Sequence, residues 1–291
     1  MKHKIINLQQ GSEPWLQYRR SKISATDTAK IMNLSPFCTP LQLYEEKMGY
    51  REPEKMNSKM EEGMRLESHA LNFFNKQNKT DFKPIVLQHG EIDYLMASLD
   101  GMNTRGEVLE IKCGKGSHEL AKQGIVPEYY LSQVQCQIFC SNVNLAYYFS
   151  YRSDEDNVAI IIHRDDEFIE KMKVAVAKFY DMMMTFTPPP ATDRDFVNRD
   201  DDLWNFHTEK YKLAKLEKTK YQELEDTHRN ILISLSDGQS CQGNGIRVSK
   251  TLTKGRIQYD SIPQLKEIDL EMYRSKPVTS FRFTEVRDQD E

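Results

Sequence analysis

Asp100, Glu110 and Lys112 are the residues whose types and spacing could do chemistry together. Asp100 closes the run Ala97-Ser98-Leu99-Asp100-Gly101, and Glu110 and Lys112 sit two apart in Val108-Leu109-Glu110-Ile111-Lys112-Cys113. Side chains alternate along a strand, so Glu110 and Lys112 share a face while Leu109, Ile111 and Cys113 turn into a core. On the first run Met96, Ser98 and Asp100 share one face, and Leu95, Ala97 and Leu99 the other. Residues 101–106 have the Gly and Asn content of a hairpin connection, which would bring Asp100 beside Glu110.

Two carboxylates aimed at one point, with an ammonium beside them, suit Mg²⁺-dependent phosphodiester hydrolysis. Mg²⁺ takes octahedral oxygen ligands and keeps several waters, so one or two carboxylates suffice, with Mn²⁺ able to substitute. The ion polarises a phosphoryl oxygen and acidifies a bound water. Lys112 would orient or deprotonate that water, or neutralise charge developing on phosphorus. The Ile111 carbonyl, between the two active side chains, is a further neutral ligand. Taken alone, Asp-Gly is also an ordinary turn dipeptide and Glu-x-Lys an ordinary solvated pair.

The elements that must position these groups form an alternating α/β pattern. Helices are expected over 15–32, 41–48 and 58–77, the second closed by Gly49. Strands follow at 82–89, 95–100 and 108–112, then a helix over 127–141, strands at 145–151 and 158–163, and a helix over 165–184. Thr187-Pro188-Pro189-Pro190-Ala191 ends that helix, dividing a domain over 1–190 from an extension over 191–291. The extension reads as a long charged helix over 201–235, laid on the core or used for self-association. A β-hairpin of 246–249 with 255–259 follows. Between Gln242 and Gln258 stand Arg247, Lys250, Lys254 and Arg256 with no acid, a finger for phosphates or a solvated edge.

Composition bounds the surroundings. The 291 residues can bury a large core. No apolar run approaches the roughly 18 residues of a membrane span, and the N-terminus lacks a signal-peptide pattern. Five scattered cysteines fit a reducing cytoplasm, with Cys136 and Cys140 as buried thiols rather than metal ligands. The net charge of −4 is shared evenly by the two expected domains, so any nucleic-acid contact must come from a local basic surface or bridged phosphates.

Several separated segments resemble the phage lambda exonuclease / YqaJ-type viral recombinase family of PD-(D/E)xK nucleases. They are Gly11-Ser12-Glu13-Pro14-Trp15 with Arg19, Ile23-Ser24-Ala25-Thr26-Asp27, Ser35-Pro36-Phe37 with Thr39-Pro40, and Gly63-Met64-Arg65-Leu66-Glu67-Ser68-His69-Ala70. Ser98-x-Asp100-Gly101, Glu110-Ile111-Lys112-Cys113, and Pro127 with Tyr130 and Gln133-Val134-Gln135-Cys136-Gln137 complete the set.

The resemblance implies a restriction-endonuclease-like core: a central mixed sheet flanked by helices, with a helical and β-hairpin C-terminal extension. It implies Asp100 and Glu110 as ligands of Mg²⁺, Glu67 as a supporting acid, Lys112 as the catalytic lysine, and Gln133 positioning Lys112 or the water. Arg19, Thr26 and Ser98 would hold a 5′-phosphate. His118 stands where the lambda enzyme has an arginine and is a poorer phosphate ligand, with Lys115 the compensating cation. The implied activity is 5′→3′ digestion of double-stranded DNA ends. The protein would be phage or prophage encoded, in the bacterial cytoplasm. The implied assembly is a ring-shaped homo-oligomer, a trimer, working with a single-strand annealing protein. An endonuclease or defence nuclease would keep the same chemistry, and an inactive DNA-binding module the same fold.

Overall fold

Alternating apolar residues build a sheet with both faces covered. The computed structural model describes residues 3–52 and 58–253, with Gly255, Ile262, Pro263, Leu265 and Ile268. The chain divides into two compact units, 1–198 and 199–291.

In the first unit, chain order runs β1 (Lys4–Ile6), α1 (Glu13–Arg20), β2 (Ile23–Ser24), α2 (Ala25–Ile31), α3 (Pro40–Met48) and α4 (Ser58–Asn78). There follow β3 (Lys83–Gln88), β4 (Leu95–Met102), β5 (Val108–Lys112), α5 (Lys115–Ala121) and α6 (Glu128–Ser141). The unit ends with β6 (Leu145–Tyr151), β7 (Asn157–His163) and α7 (Asp166–Met184). The sheet order is β1-β3-β4-β5-β6-β7, with β2 beside β4. It is mixed: β5 pairs parallel with β6 and β2 parallel with β4, and the other pairs are antiparallel. A parallel pair needs a long crossover, and α5 and α6 supply it. The expected fold class, a central mixed sheet flanked by helices, is the one observed.

One main core packs Leu95, Ala97, Leu99 and Val108 against Val134 and Ile138 of α6 and Met172 and Val176 of α7. A second cluster sets Leu109, Ile111 and Cys113 against Ala70 and Phe74 of α4, with Phe82, Phe149 and Tyr151. The Phe74 and Phe149 rings meet edge to face at 4.9 Å, a pair contributing about 0.5–1.5 kcal/mol beyond its area. The face assignment for β5 therefore stands.

On β4 the simple alternation is interrupted. Between the pairs Ile85↔Leu99 and Lys83↔Met102, β3 advances two residues and β4 three. This is a β-bulge, which kinks a strand and re-aims its side chains. Leu99 and Met102 accordingly both meet the main core, although they differ in parity. Gly101 lies inside β4 rather than in the turn. A Cβ there would come within 2.9 Å of the Phe82 Cβ and 3.3 Å of the Leu109 Cβ, so the kink leaves no room for a side chain.

The helical region expected over 15–32 is split, and it restarts at 24–27, whose Ser-Ala-Thr-Asp order is a helix N-terminal signal in the sequence. Ile23 is fully buried and donates its N–H to the Tyr94 carbonyl at 2.7 Å. That edge pairing outweighs local helix propensity over two residues. Ser24 and Asp27 then close a capping box and restart the helix as α2. Gly49, at φ +76°, ends α3 in the left-handed region, as expected. Besides β2, the elements β1 and α5 of this unit went unforeseen, as did a 3-10 turn at Asp193–Asp195; all are short and carry little apolar periodicity.

The second unit contains α8 (Asp202–Leu235) and the hairpin β8 (Cys241–Gly243) with β9 (Ile246–Val248). None of the α8 side chains is buried. The hairpin pairs 246–248 with 241–243, because Asn244-Gly245 makes a tight turn with both residues at positive φ. Of the expected partner strand 255–259, all but Gly255 lie outside the described residues, as do Lys254 and Arg256. Arg247 donates to the Gln242 side chain at 2.9 Å.

Candidate active site

The bulge and the end of one ladder build the site. β4 and β5 pair through Gly101↔Leu109 and Met102↔Val108. One step further the Asp100 side chain replaces the backbone ladder, its Oδ2 accepting the Ile111 N–H at 2.7 Å. Beyond that point β5 continues against β6 alone, through Glu110↔Tyr148, Ile111↔Phe149 and Lys112↔Ser150. The strands part where the two acids stand.

Glu110 is 1% exposed, and three donors converge on its carboxylate. Oε1 accepts from the Lys112 ammonium and from Gln133 Nε2, the latter at 2.5 Å. Oε2 accepts from Gln137 Nε2 at 2.5 Å. Gln133 and Gln137 are four apart on α6 and so share one helix face, which lies over β5. The Lys112 ammonium also lies 4.8 Å from the centroid of the Tyr130 ring.

Burial in low dielectric, then the neighbouring Glu110 carboxylate, raises the Asp100 carboxyl well above its ordinary value; Lys112 only partly offsets this. Burial and Glu110 also raise Glu67, against the pull of Lys112. Burial alone would lower Lys112, but Glu110 and Asp100 outweigh it and hold the ammonium above the ordinary lysine range. Held as an ammonium by these two carboxylates, Lys112 can donate hydrogen bonds and neutralise charge.

These groups line a cleft of about 170 Å³ together with Glu67, Gln133, Arg19, Thr26 and Ser98. Arg19 Nη2 donates to Thr26 Oγ1 at 2.6 Å, and its guanidinium lies 5.2 Å from the centroid of the Trp15 ring. Trp15 Nε1 donates to Ser98 Oγ at 3.1 Å, so one indole links the arginine to β4. Behind them the Lys47 ammonium is buried, bonded to Asp27 Oδ2 at 2.7 Å and to the carbonyls of Lys22 and Arg19. Burial would raise Asp27, but Lys47, then Arg19 and Lys30, hold it well below the ordinary carboxylate range.

Two expected residues are not brought to the cleft. His118 is 1% exposed, with Nδ1 bonded to Ser150 Oγ at 2.8 Å and Nε2 to Asp156 Oδ1 at 3.0 Å. Both ring nitrogens are occupied in tying α5 to β6 and to the turn before β7, which leaves none for a phosphate. Lys115 is exposed on the first turn of α5 and does not line the cleft. Ile111 sits in the β5–β6 ladder with its N–H held by Asp100.

The sequence reading missed Gln10, Lys47 and the role of Gln137. Gln10 lines the cleft and donates to the Leu99 carbonyl at 2.9 Å, bracing the bulge. Gln137 could have been found from its i+4 spacing to Gln133.

The donor set fits a hard divalent cation. Asp100, its carboxyl pushed up by burial and then by the Glu110 charge, stands beside that second carboxylate, and its Oδ2 bonds the Ile111 backbone N–H. Among the described residues no three His, Cys, Asp or Glu side chains close into a complete cage. Mg²⁺ needs none, since waters and phosphate oxygens fill its octahedron.

Residues 14–144 match the family described as the YqaJ-like viral recombinase domain. The crystal structure of the alkaline exonuclease LHK-Exo from Laribacter hongkongensis, in complex with dAMP, superposes with a TM-score of 0.55 at 25% identity. The match covers 60% of this chain and 94% of that one. Uncharacterized protein YqaJ of Bacillus subtilis (strain 168) is 27% identical over 195 residues, 64% of this chain and 61% of the relative. Uncharacterized protein R354 of Acanthamoeba polyphaga mimivirus is 26% identical over 169 residues, 52% of this chain and 31% of the relative. The matches thus span less than two thirds of either curated relative.

Proposed function

We propose that this chain, which carries a YqaJ-like viral recombinase domain over residues 14–144, is a Mg²⁺-dependent DNA nuclease digesting double-stranded ends from 5′ to 3′. One observation carries the reading. Asp100, Glu110 and Lys112 converge at the fork of β4 and β5, in the same cleft as Arg19, Thr26 and Ser98.

Asp100 and Glu110 would hold the cation, with Glu67 adding charge and the Ile111 carbonyl a neutral oxygen. Bound there, Mg²⁺ supplies Lewis acidity toward the scissile phosphate. Lys112, kept protonated, donates to the attacking water or to oxygens gaining charge at phosphorus. Gln133 fixes Glu110 so that Lys112 faces the cleft. Arg19, on its Trp15 platform, meets a terminal 5′-phosphate with the Thr26 and Ser98 hydroxyls, as a guanidinium suits that dianion. LHK-Exo was crystallised with dAMP, a deoxynucleoside monophosphate of the kind end digestion releases, which supports the exonuclease form of the reading.

A ring-shaped homo-oligomer, a trimer, would let a basic lumen coexist with a net charge of −4. A single-strand annealing protein as partner, in the cytoplasm of a bacterial host, completes the reading. Among the described residues no helix is long and apolar enough to cross a membrane.

Closed circular and linear duplex DNA, the latter with 5′-phosphate or 5′-hydroxyl ends, separate the alternatives when incubated with Mg²⁺. The expected result is digestion of linear DNA only, fastest from phosphorylated ends. Cleavage of the circle makes the protein an endonuclease, and inertness toward every substrate makes it a binding module.

A further inference from the structure

Gln137 is fully buried and does not line the cleft, so it cannot touch substrate. Its Nε2 nevertheless donates to two acceptors on different strands: Glu110 Oε2 on β5 at 2.5 Å and the Ser98 carbonyl on β4 at 3.3 Å. It makes this bridge just beyond the last backbone pair, Gly101↔Leu109, where the strands separate. Its other end is worse served: Gln137 Oε1 is buried with no hydrogen-bond partner among the described residues. A buried carbonyl left unpaired is costly, and an apolar side chain of the same shape would avoid the cost. Methionine would avoid that cost but could not donate to Glu110 and to the Ser98 carbonyl.

We infer that Gln137 is a positioning residue that sets the gap between Asp100 and Glu110, and with it the fit of the cation they share. This rests on the metal-nuclease reading. Gln133 holds Glu110 Oε1 from the same helix face, so the two amides take both oxygens and fix the plane of the carboxylate. Gln133 alone leaves rotation about the carboxylate axis free, and only Gln137 also reaches β4. Groups that orient metal ligands without touching the metal commonly change its affinity by about 10- to 100-fold when replaced.

The test uses the full-length protein and its Gln137→Met and Gln137→Asn variants. Methionine keeps the shape and removes the donor. Asparagine keeps an amide one methylene too short to span Ser98 and Glu110, and serves if the first variant does not fold. Binding of Mn²⁺ and of Mg²⁺ is measured by calorimetry without DNA, and hydrolysis of linear duplex is measured alongside. Expected are a melting temperature for Gln137→Met at or above wild type, a cation Kd raised about tenfold or more, and a kcat lowered with the KM for DNA unchanged. A merely space-filling glutamine would leave the cation Kd alone. Cation binding within twofold of wild type in the variants overturns this inference and spares the nuclease reading. No cation binding and no hydrolysis by the unchanged protein overturns both.

Discussion

Asp100 Oδ2 accepts the Ile111 N–H at 2.7 Å, so the acid that closes β4 also supplies the hydrogen bond the ladder no longer provides to β5. The same carboxylate thus has a structural oxygen and a chemical one. Asp100→Asn keeps an acceptor for Ile111 and discards the charge, whereas Asp100→Ala discards both. Hydrolysis should vanish in both variants. Stability should separate them, the alanine variant losing about 1–3 kcal/mol through the orphaned N–H. Thermal melts in EDTA beside digestion of linear duplex check this; equal melting temperatures would remove the structural half of the argument.

The pH dependence of stability follows from the same group. Asp100 and Glu67 have folded-state values above their unfolded ones, from burial and then charged neighbours. Between those values the folded chain holds protons that the unfolded chain has released, so stability falls as pH rises through that window. With EDTA present, the melting temperature should therefore drop as pH climbs out of the ordinary carboxylate range. Saturating Mg²⁺ should flatten the drop and release protons on binding. An Asp100→Asn variant whose slope matches wild type would contradict this origin.

Lys112 should divide binding from chemistry. Removing its ammonium leaves Asp100 and Glu110 less neutralised, so a divalent cation should bind Lys112→Met more tightly than wild type. Hydrolysis should nonetheless fall by about 10²-fold or more, because the donor to the developing charge is gone. Weaker cation binding in this variant would mean that the lysine organises the ligands rather than competing with the ion.

Arg19 and His118 should part company. Arg19→Ala should reduce the preference for 5′-phosphorylated over 5′-hydroxyl ends about tenfold, with little change in melting temperature. His118→Ala should leave that preference intact and cost about 1–3 kcal/mol, since it strands Ser150 inside the protein. Comparing initial rates on the two kinds of end, with melts of each variant, decides whether the histidine is structural.

Lys47→Met should destabilise by about 3 kcal/mol, because Asp27 and Lys47 are both buried and removing one partner strands the other charge. Denaturant melts measure it. A near-neutral outcome would mean that Arg19 swings inward to replace Lys47, and the end preference should then fall as well.

Much of the site was readable before folding because strand alternation is short-range physics. The order Leu109, Glu110, Ile111, Lys112 fixes which side chains share a face, whatever surrounds them. The bulge was not readable: it depends on Phe82 and Leu109 closing around Gly101. His118 was misplaced because its sequence position gives no sign that Ser150 and Asp156 wait for both its nitrogens. Lys47 carried no signal because a lysine in the last turn of a helix is ordinarily solvated, and only the packing of α3 beside α1 and α2 buries it. The helix restart at 24–27 was legible as a local N-terminal signal, but the pairing of Ile23 was not, its partner strand lying some seventy residues away.

Gly101 turns an apparent weak point into a lock. With the Phe82 Cβ 2.9 Å from where even a methyl would stand, a substitution must displace that ring or draw β4 lengthwise along its neighbours. Sliding would carry the adjoining aspartate out of alignment with its glutamate. Replacements at this one position should therefore cost stability and catalysis together, about 1–3 kcal/mol for the overpacked core beside the lost alignment.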